Sequence, residues 1–173
     1  MSHFSPELNK IIEAYITRFE TVRSSILPIL HAIQDEKEWI SDSDINALEK
    51  EYKLSSVDVR EVLTFYTMYR QAPPKPYRFE VCKSISCWLM GANKTIAAIK
   101  TEIKKAEDAG LPLPFEVHGV ECLGQCGFAP STLINKDRHN NVTPERALEL
   151  IQEYNKKELP IAAIKCAERL NKK

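Results

Sequence analysis

Several features are missing from this sequence, and each absence narrows its class. No apolar run approaches the roughly 20 residues needed to span a bilayer, so no membrane-crossing helix is expected. Net charge is lacking: 24 Lys and Arg stand against 24 Asp and Glu. That balance removes any bulk attraction for nucleic acid or for an anionic membrane and points to docking on a specific partner surface. Met1 to Lys10 carries neither the apolar stretch of a signal peptide nor the Arg-rich amphipathic pattern of a transit peptide. The expected compartment is therefore the cytoplasm, where thiols stay reduced. There is no internal repeat, no low-complexity tract and no glycine-rich nucleotide loop. The C-x-x-C spacing of thiol–disulfide enzymes is also absent, which argues against that chemistry.

What is present reads as two unlike halves. The 173 residues, 43% hydrophobic and 28% charged, suit one domain or a small domain with a sizeable extension. Leu8, Ile11, Ile12, Tyr15, Ile16 and Phe19 recur at helical spacing behind Pro6. Ile26, Leu27, Ile29, Leu30 and Ile33 form a second stripe, with Ser25 as its expected cap and Pro28 in its first turn. Ser41 with Asp44 predicts a capping box ahead of Ile45, Leu48 and Tyr52, and Ser55 with Asp58 repeats the device ahead of Val59, Val62, Leu63 and Tyr66. The last two helices resemble a helix-turn-helix in outline. Between Asp42 and Met68, however, six acidic residues outnumber three basic ones, the wrong balance for a DNA-reading face. The aromatic stretch Thr64 to Tyr69 suits either a protein interface or local core, and core is the expected reading, since Phe65 and Tyr69 fall at helical spacing.

Pro73, Pro74 and Pro76 end the helical pattern, and the period then changes to two over Tyr77, Phe79 and Val81. A helix is expected from about Gly91 to Ala109 and a second strand at Phe115, Val117 and Val120. A third strand is expected from Ser131 to Asn135, a fourth within Lys136 to Asn141, and a final helix from Pro144 to Tyr154 capped by Thr143. The fold class is thus α+β. The expected organisation is a helical region over 1–72, a mixed α/β domain over 77–155 and a basic tail over 156–173, the last with an amphipathic stretch at Ile161, Ile164 and Ala167.

Four of the five cysteines fall into two close pairs. Four residues separate Cys82 from Cys87, three separate Cys122 from Cys126, and 34 lie between the pairs. Each pair follows an expected strand, so two neighbouring loops would present four thiolates to one site. A [2Fe-2S] cluster takes four thiolates and backbone able to approach sulfur closely, which Gly124 and Gly127 supply. Cys87, just ahead of the expected helix near Gly91, would place the anionic cluster at a helix N-terminus. A structural zinc site also accepts four cysteines at such spacing, and four unconnected buried thiols are the plainest alternative. Cys166 has no neighbouring partner and reads as a small apolar residue. His118 and His139 read as surface or supporting histidines, because four cysteines already complete a site.

Three ordered segments carry a resemblance to a known family. They are Arg23-Ser24-Ser25-Ile26-Leu27-Pro28-Ile29-Leu30-His31 with Trp39-Ile40, then Thr64-Phe65-Tyr66-Thr67-Met68-Tyr69, then Glu121-Cys122-Leu123-Gly124-Gln125-Cys126 with Ala129-Pro130. From about Arg23 to Tyr154 the chain resembles the small iron–sulfur subunit of the NADH-dehydrogenase module of respiratory complex I, the NuoE type. The family often has Gly where Glu38 stands. The resemblance implies a thioredoxin-like [2Fe-2S] ferredoxin domain behind a helical N-terminal region, with Cys82, Cys87, Cys122 and Cys126 as the cluster ligands. It also implies an NADH- and FMN-binding flavoprotein partner of the NuoF type. The expected role is single-electron transfer within NADH:quinone oxidoreductase, inactive alone and peripheral on the inner face of the cytoplasmic membrane. Related subunits serve NAD-linked hydrogenases and formate dehydrogenases, and a zinc- or cluster-stabilised scaffolding adaptor is the reading from a different class.

Overall fold

The structure, a computed structural model, describes residues 2–159. The stripe at Ile161, Ile164 and Ala167 and the thiol of Cys166 lie outside the described residues. The chain divides between Pro73 and Pro74 into two compact units.

The first unit is helical. Helix α1 (Pro6–Arg18) starts where Ser5 accepts the Leu8 N–H at 3.1 Å and Pro6 fills a first-turn position, where its missing N–H costs nothing. Helix α2 (Ile26–Lys37) follows a 3-10 turn over Val22–Ser25. Ser25 does not cap it with its side chain as expected. Its hydroxyl turns back to donate to the Val22 carbonyl at 2.6 Å, closing the 3-10 turn instead. Helix α3 (Asp42–Tyr52) opens on the full Ser41–Asp44 capping box, and α4 (Ser56–Phe65) on Ser55, which accepts the Asp58 N–H. Along α2, Ile26, Ile29, Leu30 and Ile33 are all fully buried. This is the i, i+3, i+4, i+7 stripe of a helix at the centre of its core, and each such side chain contributes about 1.5–3 kcal/mol by burial. Leu8 and Ile12 of α1, Ile45 and Leu48 of α3, and Val59 and Leu63 of α4 complete that core. Helix α2 stops at Glu38, which takes φ 71°. That left-handed conformation favours glycine, the residue the resemblance often places there.

The aromatic stretch splits. Helix α4 ends at Phe65, and Tyr66 is already extended, so the helical spacing that paired Phe65 with Tyr69 does not run through. Tyr69 is buried and its hydroxyl donates to the Leu27 carbonyl at 2.8 Å. Phe65 is 76% exposed, contrary to the expectation of core.

The second unit is a four-stranded mixed sheet with helices. Strand β1 (Tyr77–Cys82) lies centrally and is buried at five of its six residues, as an interior strand must be. It pairs in parallel with β2 (Phe115–Val120), from Tyr77 opposite Phe115 to Cys82 opposite Val120. On its other side it pairs antiparallel with β3 (Thr132–Ile134), which turns into β4 (Asp137–His139), giving the order β2-β1-β3-β4. A parallel pair needs a long crossover. Here it contains α5 (Ile85–Leu89) and α6 (Ala92–Asp108). The final helix, α7 (Pro144–Asn155), is capped by Thr143, whose hydroxyl accepts the Arg146 N–H at 3.2 Å. Phe79, Phe115, Ile99, Ile134 and Leu150 fill the core. Helix α5 was not expected from the sequence. It means that Cys87 lies inside a short helix rather than just ahead of α6.

Candidate metal centre

The parallel pairing of β1 and β2 sets the geometry. Both strands run the same way, so the segments leaving their C-terminal ends emerge side by side, and these segments hold the cysteines. Cys82 is the last residue of β1 and Cys87 sits in α5. Cys122 follows β2 by two residues, and Cys126 begins a single 3-10 turn over Cys126–Phe128.

The pairs differ in environment. Cys82 and Cys87 are each 2% exposed, whereas Cys122 and Cys126 face solvent, and all four are free thiols. Burial pushes the Cys82 thiol up, but the N–H groups of Leu123 and Ser84, the Cys87 thiol and the Ser84 hydroxyl outweigh it and hold Cys82 below the ordinary thiol value. Cys87 is pushed up by burial, against the pull of the Ser131 N–H, and further by its hydrogen bond to Cys82 and by charge on Cys82 and Cys126. The two pairs therefore sense each other: Leu123, from the second loop, donates to Cys82, and Cys126 acts on Cys87.

Gly124 adopts φ 72°, a conformation glycine enters without steric penalty. There its N–H turns onto the Cys122 sulfur at 3.3 Å. Gly119, opposite Val81 in β2, serves a different purpose. A Cβ at that position would stand 2.5 Å from Cδ of Lys83, whose stem lies across the glycine.

Among the described residues, no three His, Cys, Asp or Glu side chains are gathered closely enough to hold a single metal ion. A [2Fe-2S] cluster spreads its demand over two irons, with two thiolates for each. The donor set fits that group: four sulfurs on the two segments that leave neighbouring strands, with backbone N–H groups acting on Cys82, Cys87 and Cys122 to stabilise negative charge. His118 is half-exposed beside Glu116 at 3.5 Å, and His139 bonds the Tyr154 hydroxyl at 3.1 Å.

Residues 12–155 match the thioredoxin-like [2Fe-2S] ferredoxin family. The chain belongs to that family. Its cofactor is accordingly a [2Fe-2S] cluster. The E-type subunit of NADH-quinone oxidoreductase from Aquifex aeolicus is 30% identical over 152 residues, covering 87% of this chain and 95% of that protein. Its namesake in Mycobacterium tuberculosis is 30% identical over 137 residues, covering 79% of this chain and 54% of that protein. The chain thus spans about half the length of the mycobacterial relatives it matches. Among solved structures, an NAD+-reducing [NiFe]-hydrogenase in the air-oxidised state shares the fold, with 18% identity and a TM-score of 0.56 over 72% of this chain and 22% of that one.

Sequence reasoning missed three elements of this ferredoxin's cysteine edge. Ser84 and Ser131 touch the buried thiols and carry no spacing signal. Helix α5 exposes Ile85, Trp88 and Leu89, followed by Met90, with Phe128 exposed after Cys126. The run Ile85-Ser86-Cys87-Trp88-Leu89-Met90 is apolar on nearly every side and so has no period to read.

Proposed function

We propose that this chain is an electron-transfer subunit that exchanges single electrons with the FMN of a partner NADH-oxidising flavoprotein of complex I. In this reading Cys82, Cys87, Cys122 and Cys126 hold the cluster, which when bound takes up and gives back one electron. NADH delivers a hydride, hence two electrons, to FMN on the partner, and one of the two passes across to this chain. The chain's own residues provide thiolate ligation, N–H groups that stabilise added negative charge, and an edge that brings the site near the flavin.

The observation that carries the reading is the cysteine edge itself. Two solvent-facing thiols lie at the surface, and Ile85, Trp88, Leu89, Met90 and Phe128 stand exposed on the segments that carry the four cysteines. Apolar side chains concentrated in this way suit a protein partner, and electron transfer needs the partner's acceptor close to the site. The relatives are named as subunits of NADH-quinone oxidoreductase, which points to the same assembly. Among the described residues no helix is long and apolar enough to cross a membrane. A location at the inner face of the cytoplasmic membrane would therefore come through the complex.

Labour is divided along the chain in this proposal. The domain over 77–155 holds the cluster, and the helical region over 1–72 adds docking surface. The test mixes the anaerobically purified full chain with the flavoprotein partner and NADH. The cluster's electron paramagnetic resonance signal should appear only when both proteins are present, and the chain alone should oxidise no NADH. Tight NADH binding by the chain alone, or no reduction in the mixture, defeats the reading. A chain beginning at Pro76 should keep its iron and bind the flavoprotein more weakly; unchanged affinity would put docking wholly on the cluster domain.

A further inference from the structure

The segments that carry the cysteines meet at one residue, Ser131. Its carbonyl accepts the Cys82 N–H at 3.1 Å. Its own N–H acts on the Cys87 thiol, pulling it down against the push of burial. Its hydroxyl donates to Gln125 Oε1 at 2.9 Å, and Gln125 lies in the loop between Cys122 and Cys126. The first two contacts are backbone contacts, open to any residue except, for the second, proline. The third depends on the side chains at both ends.

That third contact joins parts with unequal order. Ser131 is 1% exposed and directly precedes β3, so it is held by the sheet. The loop over 122–127 contains two glycines, one of them at φ 72°, and a glycine-rich loop keeps a single conformation only when contacts fix it. The Ser131 hydroxyl is shielded from water, so without Gln125 it would be left as a buried donor lacking a partner. Leu123, two residues before Gln125, is partly buried against the core of this unit, near enough to Cys82 for its N–H to help hold that thiol down. The loop therefore lies against the two buried thiols.

We propose that the Gln125–Ser131 hydrogen bond is a latch that holds the Cys122–Cys126 loop against Cys82 and Cys87, making Gln125 and Ser131 positioning residues for the cluster. The proposal rests on the ligand assignment above. The latch keeps the exposed pair in register with the buried pair. Opening it lets the loop swing, admits water to the buried sulfurs and frees iron.

The experiment compares Ser131→Ala, Gln125→Met and the double substitution in the full chain, with helical circular dichroism as a check on folding. Gln125→Met keeps the length of the side chain and removes its acceptor. In the iron-loaded chain, each single substitution should speed iron release to a chelator on the order of tenfold, as expected for one lost buried hydrogen bond. The double substitution should be no faster than the faster single, because both remove the same bond. The electron paramagnetic resonance lines of the reduced cluster should broaden in all three variants, which a distant loss of stability would not cause. In the reduced, metal-free chain, iodoacetamide should modify Cys82 and Cys87 about tenfold faster in each variant, by the same reasoning, while the exposed Cys122 and Cys126 react at the wild-type rate. Wild-type rates in both single variants, or effects that multiply in the double, overturn the latch. If Ser131→Ala fails to fold, Gln125→Met on its half-buried loop decides alone. The alkylation measurement needs no metal, so a chain that bound no iron would refute the ligand assignment while the latch was still decided.

Discussion

The two units of this chain solve the same folding problem and differ in where they leave apolar side chains exposed: singly at Val57 and Phe65 in the helical unit, in a run beside the cysteines in the sheet unit. The helical unit spends its sequence on closure: a stripe at Ile26, Ile29, Leu30 and Ile33, reciprocal capping at Ser41 and Asp44, and an inward Tyr69. The sheet unit closes its core equally well around Phe79 and Phe115, yet leaves Ile85, Trp88, Leu89 and Met90 in solvent beside its cysteines. An apolar residue left outside a completed core contributes nothing to folding by burial. The contrast teaches that exposure is informative where it is concentrated next to chemistry.

The comparison breaks most sharply at the thiols. Serine at Cys82, Cys87, Cys122 or Cys126 should abolish the full complement of two irons and two sulfides per chain, an all-or-nothing loss expected of [2Fe-2S] ligands. The same substitutions should leave the melting of the helical unit unchanged, and Cys166→Ser should keep the iron. Iron and sulfide analysis beside calorimetry checks both halves, and a colourless Cys166→Ser protein would refute the assignment.

Cavities come next. Phe79→Ala should cost about 3–5 kcal/mol and Ile33→Ala about 2–5 kcal/mol. Only Phe79→Ala should loosen the cluster, because β1 carries Cys82. Denaturant melts read alongside visible absorbance separate the two, and bleaching by Ile33→Ala would show that the helices support the cluster edge.

Acid sharpens the contrast further. Burial pushes the Asp44 carboxyl up, but Lys37, the Ser41 hydroxyl and N–H, and His3 outweigh it and hold the carboxyl below its ordinary value of 3.8. A depressed folded value means that the stabilisation is complete above the unfolded value and is lost as pH falls through the lower folded one. The melting temperature of the helical unit should therefore drop as pH falls below about 4, and Asp44→Asn should lower it at neutral pH and flatten that acid limb. An unchanged acid limb in Asp44→Asn would rule the network out as its cause.

The smallest effects separate two neighbouring aromatics. Tyr69→Phe removes the bond to Leu27 and should cost about 1 kcal/mol, whereas Phe65→Ser should stay within about 0.5 kcal/mol. A larger loss for Phe65→Ser would mean that its exposed ring supports the helices.

Much of this was legible in the sequence because periodicity reports burial. The stripes of α1 to α4, the alternation at Tyr77, Phe79 and Val81, and the Thr143 cap each correspond to an element in the structure. The cysteine pairs were legible because close spacing on the segments that leave two neighbouring strands is a local property of the sequence. Helix α5 was not, since a solvent-facing apolar segment has no polar side to mark its period. Phe65 was misread because the helical count was carried past the point where α4 ends and Tyr66 turns extended. Ser25 takes the N-cap position read for it, but its hydroxyl closes the 3-10 turn instead of capping, and that turn depends on Val22, a residue with no turn signature. Ser131 was invisible because its partners, Cys82 and Cys87 far back along the chain and Gln125 six residues away, follow no repeating spacing.

Gly119 has a consequence for how this edge can vary. The stem of Lys83 occupies the space a side chain at 119 would need, with Cδ 2.5 Å from where a Cβ would sit. Lysine is flexible, so an alanine at 119 would swing Lys83 aside before it broke the strand. One added methyl group would then redirect a positive charge beside Cys82, and with it the local field at the sulfur. Positions 83 and 119 are in this sense coupled: the residue at 119 sets where the charge at 83 can lie.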